Sequence, residues 1–179
     1  MKKIFLGFHQ EQDVERVLVL GIGNRLMGDD GVGVHVAEAI GRSYRPEPPA
    51  YGFFSGNVRV LAGETDVDYC LRELADSDAC IIIDAACSGK EPGYVDVIDL
   101  GTALAQITAA PGIHDFNLLR AMKREGLLKE GILIAVEIDR ADFSLELSPP
   151  LQARFQDILR EVKLIIDGCL LTYGVRGFA

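Results

Sequence analysis

Residues 16–33 read Arg16-Val17-Leu18-Val19-Leu20-Gly21-Ile22-Gly23-Asn24-Arg25-Leu26-Met27-Gly28-Asp29-Asp30-Gly31-Val32-Gly33. Val17 to Leu20 is a short apolar run of the kind that forms a buried strand. A helical pattern follows from Val34 to Ile40. A strand, a glycine-rich turn and a helix commonly cradle a phosphate at the helix N-terminus. This turn carries two adjacent carboxylates, Asp29 and Asp30, which would repel a phosphate and suit a cation. The spacing agrees. A dinucleotide fingerprint needs G-x-G-x-x-G, whereas four residues separate Gly23 from Gly28. No G-x-x-x-x-G-K-[ST] occurs, which excludes a P-loop. The competing role for Asp29 or Asp30 is to cap the following helix.

Working outward, the chain alternates strand and helix patterns. Asn57–Leu61 alternates like a strand, and Asp66–Leu74 has helical spacing through Val67, Cys70, Leu71 and Leu74. Ala79–Ile83 is a fully apolar strand of the type buried on both faces of a parallel sheet. Tyr94–Leu100 reads as a strand nearer an edge, His114–Arg124 as a helix, and Ile132–Ile138 as a second central strand. The last helix has Ser148 as its expected N-cap, Pro149 in its first turn and an apolar stripe from Leu151 to Cys169. The segment Arg42–Gly56, with three prolines and two glycines, reads as a loop. These patterns predict an α/β fold, a three-layer α/β/α sandwich around a mostly parallel twisted sheet of about five strands. One such domain is expected over residues 16–179, preceded by an N-terminal extension over 1–15.

Bulk properties narrow the function. The chain has 179 residues, is 49% hydrophobic, and carries a net charge of −9. That balance excludes disorder and disfavours nucleic acid and anionic membranes as partners. No apolar run approaches the roughly 18 residues of a membrane span, and the N-terminal apolar run is too short for a secretory signal. A cytoplasmic location is expected. The four cysteines form no C-x-x-C pair, so neither a zinc knuckle nor a redox dithiol is indicated. Cys70, Cys80 and Cys169 read as packed thiols, while Cys87 follows Asp84 by three residues, close to a possible site.

In parallel sheets, sites form beyond the carboxyl ends of the strands. Asp30 follows the first strand, Asp84 ends Ala79–Ile83, and His114 opens a helix after a Pro-Gly loop. A charge directly after apolar strand residues is costly unless paired, hydrogen-bonded or metal-bound. A helix N-terminus keeps an imidazole neutral and able to ligate. For each residue a plain structural role competes: a hydrogen bond to a loop amide for Asp84, capping of its own helix for His114. His35 is expected to face solvent, and His9 lies in the terminal segment. Two carboxylates and an imidazole make a mixed oxygen/nitrogen site for a borderline divalent ion such as nickel or zinc. H-E-x-x-H and G-x-S-x-G are both absent, which removes zincin and nucleophile-elbow chemistry.

These blocks resemble the hydrogenase maturation endopeptidases. VLVLGIGNRLMGDDGVGVHVAEAI, from Val17, is similar to that family's N-terminal motif. IIIDAACSGKEPGYVDVIDL, PGIHDFNLLRAM and AVEIDRADFSLELSPPLQARF resemble its three later blocks. The resemblance runs from about Arg16 to Ile166. It implies an endopeptidase that recognises nickel already installed in the immature large subunit of a nickel–iron hydrogenase and removes a C-terminal extension. The metal would come with the substrate, and zinc or another divalent ion could substitute. By the same resemblance, Asp30, Asp84 and His114 are the metal-contacting and catalytic residues. The chain departs from the family pattern in having Asp30 where Glu also occurs, in Met1–Glu15, in a long Arg42–Gly56 loop, and in Asp115 beside His114. The alternative function is a nickel-dependent checkpoint of the same fold that does not cleave.

Overall fold

The computed structural model describes residues 14–44, 53–55, 57–106 and 117–175. The elements in chain order are β1 (Val17–Ile22), a 3₁₀ turn (Gly28–Gly31), α1 (Val32–Tyr44), β2 (Phe53–Ser55), β3 (Val58–Glu64), α2 (Val67–Ala75), β4 (Ala79–Ala86), β5 (Val95–Asp99), α3 (Leu100–Gln106), α4 (Asn117–Arg124), β6 (Glu130–Glu137) and α5 (Pro149–Thr172). They form one sheet in the order β2-β3-β1-β4-β6-β5. The four inner strands are parallel, while β2 and β5 pair antiparallel at the edges. The sheet therefore has six strands rather than about five. The added one is the three-residue β2, inside the stretch read as a loop. The remainder of that loop, and most of the 1–15 extension, lie outside the described residues.

The stretches Val17–Leu20, Ala79–Ile83 and Ile132–Val136 of the central strands are apolar at every position because both faces are covered. On one face Val17, Val19, Ile81, Ile83, Ile132 and Ile134 pack with Val32, Val36 and Ile40 of α1 and with Ile158, Val162 and Ile166 of α5. On the other, Leu18, Leu20, Cys80, Ile82 and Leu133 pack with Cys70 and Leu74 of α2, Leu100 and Leu104 of α3, and Leu119 and Met122 of α4. This is the expected three-layer sandwich. No helix among the described residues is long and apolar enough to cross a membrane.

Two local expectations are corrected. Tyr94–Leu100 does not stay extended to its end. Asp99 Oδ1 accepts the backbone N–H of Thr102 at 2.7 Å and its hydroxyl at 2.9 Å, and this cap starts α3 at Leu100. Ser148 stands at the N-cap position of α5, but its side chain makes no capping bond. Its hydroxyl donates instead to Asp29 Oδ2.

Chain direction creates the sheet's switch point. From β1 the chain crosses by α1 to β3 on one side, then by α2 back past β1 to β4. Beyond β4 it continues to the other edge. The crevice outside the carboxyl ends of β1 and β4 is therefore the position where α/β sheets bind ligands. Glycines bring α1 tightly onto these strand ends. A Cβ at Gly33 would lie 2.3 Å from the Ile83 carbonyl oxygen and 2.5 Å from that of Ile22. One at Gly21 would lie 2.2 Å from the Gly33 carbonyl oxygen.

The same substitution should therefore have opposite signs at two helical glycines. Gly33→Ala gains about 1 kcal/mol of helix propensity but meets two backbone carbonyls that cannot rotate away. A net loss of about 2 kcal/mol or more is expected. Gly168→Ala on α5, with nothing within 4 Å, should gain about 1 kcal/mol. Urea denaturation of the two variants beside the parent chain checks both.

Candidate functional site

The first block folds into two bends that aim its side chains. Gly23, at φ 128°, turns the chain out of β1. A Cβ there would sit 1.9 Å from the Asp30 carbonyl oxygen. The 3₁₀ turn then carries Asp29 and Asp30 to opposite sides. Asp30 Oδ2 accepts the Asn24 N–H at 2.7 Å and lines a cavity of about 260 Å³. Asp84, half-buried on β4, lines the same cavity, together with Asn24, Met27, Glu64, Cys70, Leu118 and Ala141. Its Oδ1 accepts the Ala85 N–H at 2.8 Å. Strand β4 does not end at Asp84 but runs on to Ala86, so the carboxylate projects from the last turn of pleat rather than from a loop.

The structure thus brings two of the three expected residues, Asp30 and Asp84, to one cavity at the switch point. His114 and Asp115 lie outside the described residues, although Leu118, four residues after His114, lines that cavity. Among the described residues, no group of three His, Cys, Asp or Glu side chains is arranged to hold a metal ion. A larger hollow of about 420 Å³ lies on the other side of Gly28 and Asp29, bounded by Phe143, Ser148 and Pro149. It is the less suitable of the two. Asp29, on its wall, already has its acceptor capacity occupied.

Charge around the cavity is organised by Arg25. Its guanidinium pairs with Glu38 and, at 3.0 Å, with Glu64 on the cavity rim. Glu64 is the one non-glycine at positive φ among the described residues, at 50°. The adjacent β1/β3 register slips between Gly21 and Ile22. Burial alone would raise the Glu38 pKa, but the hydrogen bond and charge of Arg25 outweigh it and hold the carboxyl below its usual range. His35 is half-buried, not solvent-facing, and its Nε2 is buried with no partner among the described residues. Burial, reinforced by the Arg25 charge, lowers its pKa and keeps the ring neutral. Cys70 is buried at the cavity wall, its Sγ 3.7 Å from the Gly63 carbonyl. Burial pushes that thiol up to about 12, so it is neither a nucleophile nor a ready ligand at neutral pH. Cys80 and Cys169 are buried as expected, and Cys87 is exposed and is not one of the residues lining the cavity.

Two carboxylates outside the expected site residues turn out to be buried. Asp29 is 1% exposed and Glu137 is 3% exposed. Glu137 accepts the N–H groups of Ser88, Gly89 and Lys90 at 2.6, 2.7 and 3.1 Å and the Ser88 hydroxyl at 2.7 Å. It thereby fixes the loop that leaves β4. The rule that selected Asp84, a charge closing an apolar strand, applies equally to Glu137 in Ile132–Ile138. Asp29 offered no such signal, because its partners lie far away in the chain.

A family model for hydrogenase maturation proteases matches residues 34–165. The hydrogenase 2 maturation protease of Escherichia coli is 29% identical over 152 residues, covering 82% of this chain and 88% of that protein. The hydrogenase expression/formation protein HupD of Rhizobium leguminosarum bv. viciae is 38% identical over 84 residues. That alignment spans 47% of this chain and 38% of the length of HupD. In three dimensions the chain is similar to the hydrogenase maturating endopeptidase HybD from E. coli. The TM-score is 0.67 at 25% identity, over 90% of this chain and 95% of that one.

The two depressed glutamates predict acid sensitivity. Burial opposes the Glu137 charge, but the Ser88 hydroxyl and three N–H groups outweigh it and lower its pKa. A carboxyl lower in the folded than in the unfolded chain contributes stability that is full above the ordinary glutamate pKa. That contribution is lost as pH falls through the folded value. Glu137→Gln should cost about 1–3 kcal/mol at pH 7, flatten the loss of stability below about pH 4.5, and be insensitive to salt. Glu38→Gln should cost less and respond to salt, because its ion pair is partly exposed. Denaturant titrations between pH 7 and pH 3 at two ionic strengths distinguish the two.

Proposed function

The chain belongs to the hydrogenase maturation protease family, and on that premise we propose that it is the endopeptidase that recognises nickel in the immature large subunit of a nickel–iron hydrogenase and removes its C-terminal extension. The observation that carries the reading is the pair Asp30 and Asp84, brought by separate crossovers to one cavity at the switch point. In this reading the nickel is part of the substrate. Asp30, Asp84 and His114 meet it with two oxygens and one imidazole nitrogen, and the partner's own soft ligands hold its other side. Binding to the metal places the neighbouring peptide bond in the cavity mouth. There the ion would polarise a carbonyl or a water as a Lewis acid. Cleavage would depend on nickel because an empty precursor offers nothing for the carboxylates to grip.

A protein substrate also suits the rim. Met27 and Ser144 pair as an isolated parallel bridge, with Gly28 N–H donating to the Ser144 carbonyl at 2.9 Å and Ser144 N–H to the Leu26 carbonyl at 3.0 Å. Leu26, Phe143 and Leu145 flank this bridge and are 52%, 80% and 70% exposed. Single exposed apolar side chains are common, but three on one laced pair of segments that joins the cavity, through Met27, to the larger hollow, through Phe143 and Ser144, suit contact with another protein.

The reaction test is incubation with purified large-subunit precursor, nickel-loaded or nickel-free. Cleavage of the loaded form alone is expected. Asp84→Asn and His114→Ala should each lower kcat by about 100-fold or more with the melting temperature nearly unchanged. Full cleavage by either variant removes that residue's role. Nickel-dependent binding without cleavage by the parent chain would make it a checkpoint protein instead. Separately, Phe143→Ser with Leu145→Ser should raise KM for the precursor by about tenfold, equivalent to about 1.4 kcal/mol, without changing kcat or stability. An unchanged KM removes the ridge from the docking surface.

A further inference from the structure

Asp29 and Asp30 are adjacent, yet only Asp30 faces the cavity. The Asp29 carboxylate points the other way and is itself buried, 1% exposed, behind the neighbouring hollow. Oδ1 accepts the Ser148 N–H at 2.6 Å. Oδ2 accepts the Ser148 hydroxyl at 2.7 Å and the N–H groups of Asp139 and Arg140 at 3.1 and 3.4 Å. All four donors are neutral, and all belong to the segment between β6 and α5. A buried carboxylate is tolerable only with such saturation. The cost of losing it is what fixes the geometry.

The consequence reaches the cavity by two routes. Asp30 is the next residue in the 3₁₀ turn, so any rotation of the turn re-aims its side chain. Its carbonyl already abuts Gly23 and its carboxylate already holds the Asn24 N–H. Ala141, directly after the clamped Asp139 and Arg140, forms part of the cavity lining. We propose that Asp29 is a positioning residue for the reaction, a buried clamp that ties the 139–148 segment to the Gly28–Gly31 turn and so sets both the aim of Asp30 and part of the cavity lining. The inference rests on the reading of Asp30 under the proposed function for its kinetic consequence, but not for its geometric one.

Asp29→Asn tests it. The amide keeps the size and one acceptor oxygen, but its NH₂ faces the backbone N–H groups of residues 139 and 140. In the full chain, at a temperature where circular dichroism shows it folded, the variant should cleave nickel-loaded precursor with kcat lowered by about 100-fold and KM changed less than threefold. Val162→Ala, a buried α5 variant that also costs stability, should keep kcat. The geometric readout is amide exchange at Asn24, whose N–H should exchange about tenfold faster or more in Asp29→Asn and not in Val162→Ala. Parental kcat together with parental Asn24 protection overturns the proposal. If the parent chain cleaves no precursor, the functional reading fails, and Asn24 exchange alone decides whether Asp29 holds Asp30. Should Asp29→Asn not fold, Ser148→Ala removes one donor from the other side and is expected to lower kcat by about threefold to tenfold and loosen Asn24. Unchanged values for both overturn the clamp.

Discussion

The close approach of α1 to the sheet is the constraint on which the remaining architecture depends. Gly33 lies against the carbonyl oxygens of Ile22, which ends β1, and Ile83 in the neighbouring parallel strand β4. A helix that seats its first turn there leaves no space for a side chain, so glycine is the residue that fits. Seating the helix also fixes the 3₁₀ turn before it and keeps the ends of β1 and β4 side by side. Asp30 and Asp84 are 54 positions apart in the chain (84 − 30). They share a cavity because β1 and β4 pair directly as parallel neighbours and the same helix is seated against both.

Around that contact, neighbouring carboxylates have very different environments. Asp29 and Glu137 are buried and saturated with neutral donors. Glu38 and Glu64 are neutralised by Arg25. Asp30 and Asp84 each accept a backbone N–H and also line the cavity. An acidic residue with its acceptor capacity filled is scaffold. One that lines the cavity, as Asp30 and Asp84 do, is within reach of a ligand bound there. Proximity in sequence says little about which is which, as the Asp29–Asp30 pair shows.

The same distinction marks how far the sequence could be read. The central strands were legible because both faces are buried and the runs Val17–Leu20, Ala79–Ile83 and Ile132–Val136 are apolar throughout. α2 and α5 were legible because their stripes have helical period. Asp84 was legible because a charge after an apolar strand needs a reason. α3 was not, since its seven residues carry only one i, i+3, i+4 set, Leu100, Ala103 and Leu104, directly continuous with a strand pattern and started by a cap from Asp99. β2 was not, being three residues paired to one edge. The role of Asp29 was not, because its strongest partner lies 119 residues away and no local pattern encodes a contact of that span. The strand-end argument and the family resemblance both pointed to Asp30, but neither gave a local physical reason to prefer it to Asp29. The structure supplies one: the Asp29 carboxylate is saturated with donors from the 139–148 segment, while Asp30 lines the cavity at the switch point.

Cys70 carries a consequence for turnover. A thiolate in the cavity wall would be a soft, strong ligand for a late transition metal, and it would compete with the partner for its own ion. Burial keeps this sulfur protonated in the metal-free chain, so an arriving ion meets carboxylate oxygens first and a thiolate only at the added cost of a proton. Under the proposed reading, the contact to the metal is loose enough to break when the cut product leaves. The chain would then act as a recyclable inspector and not as a sink that traps one ion per molecule.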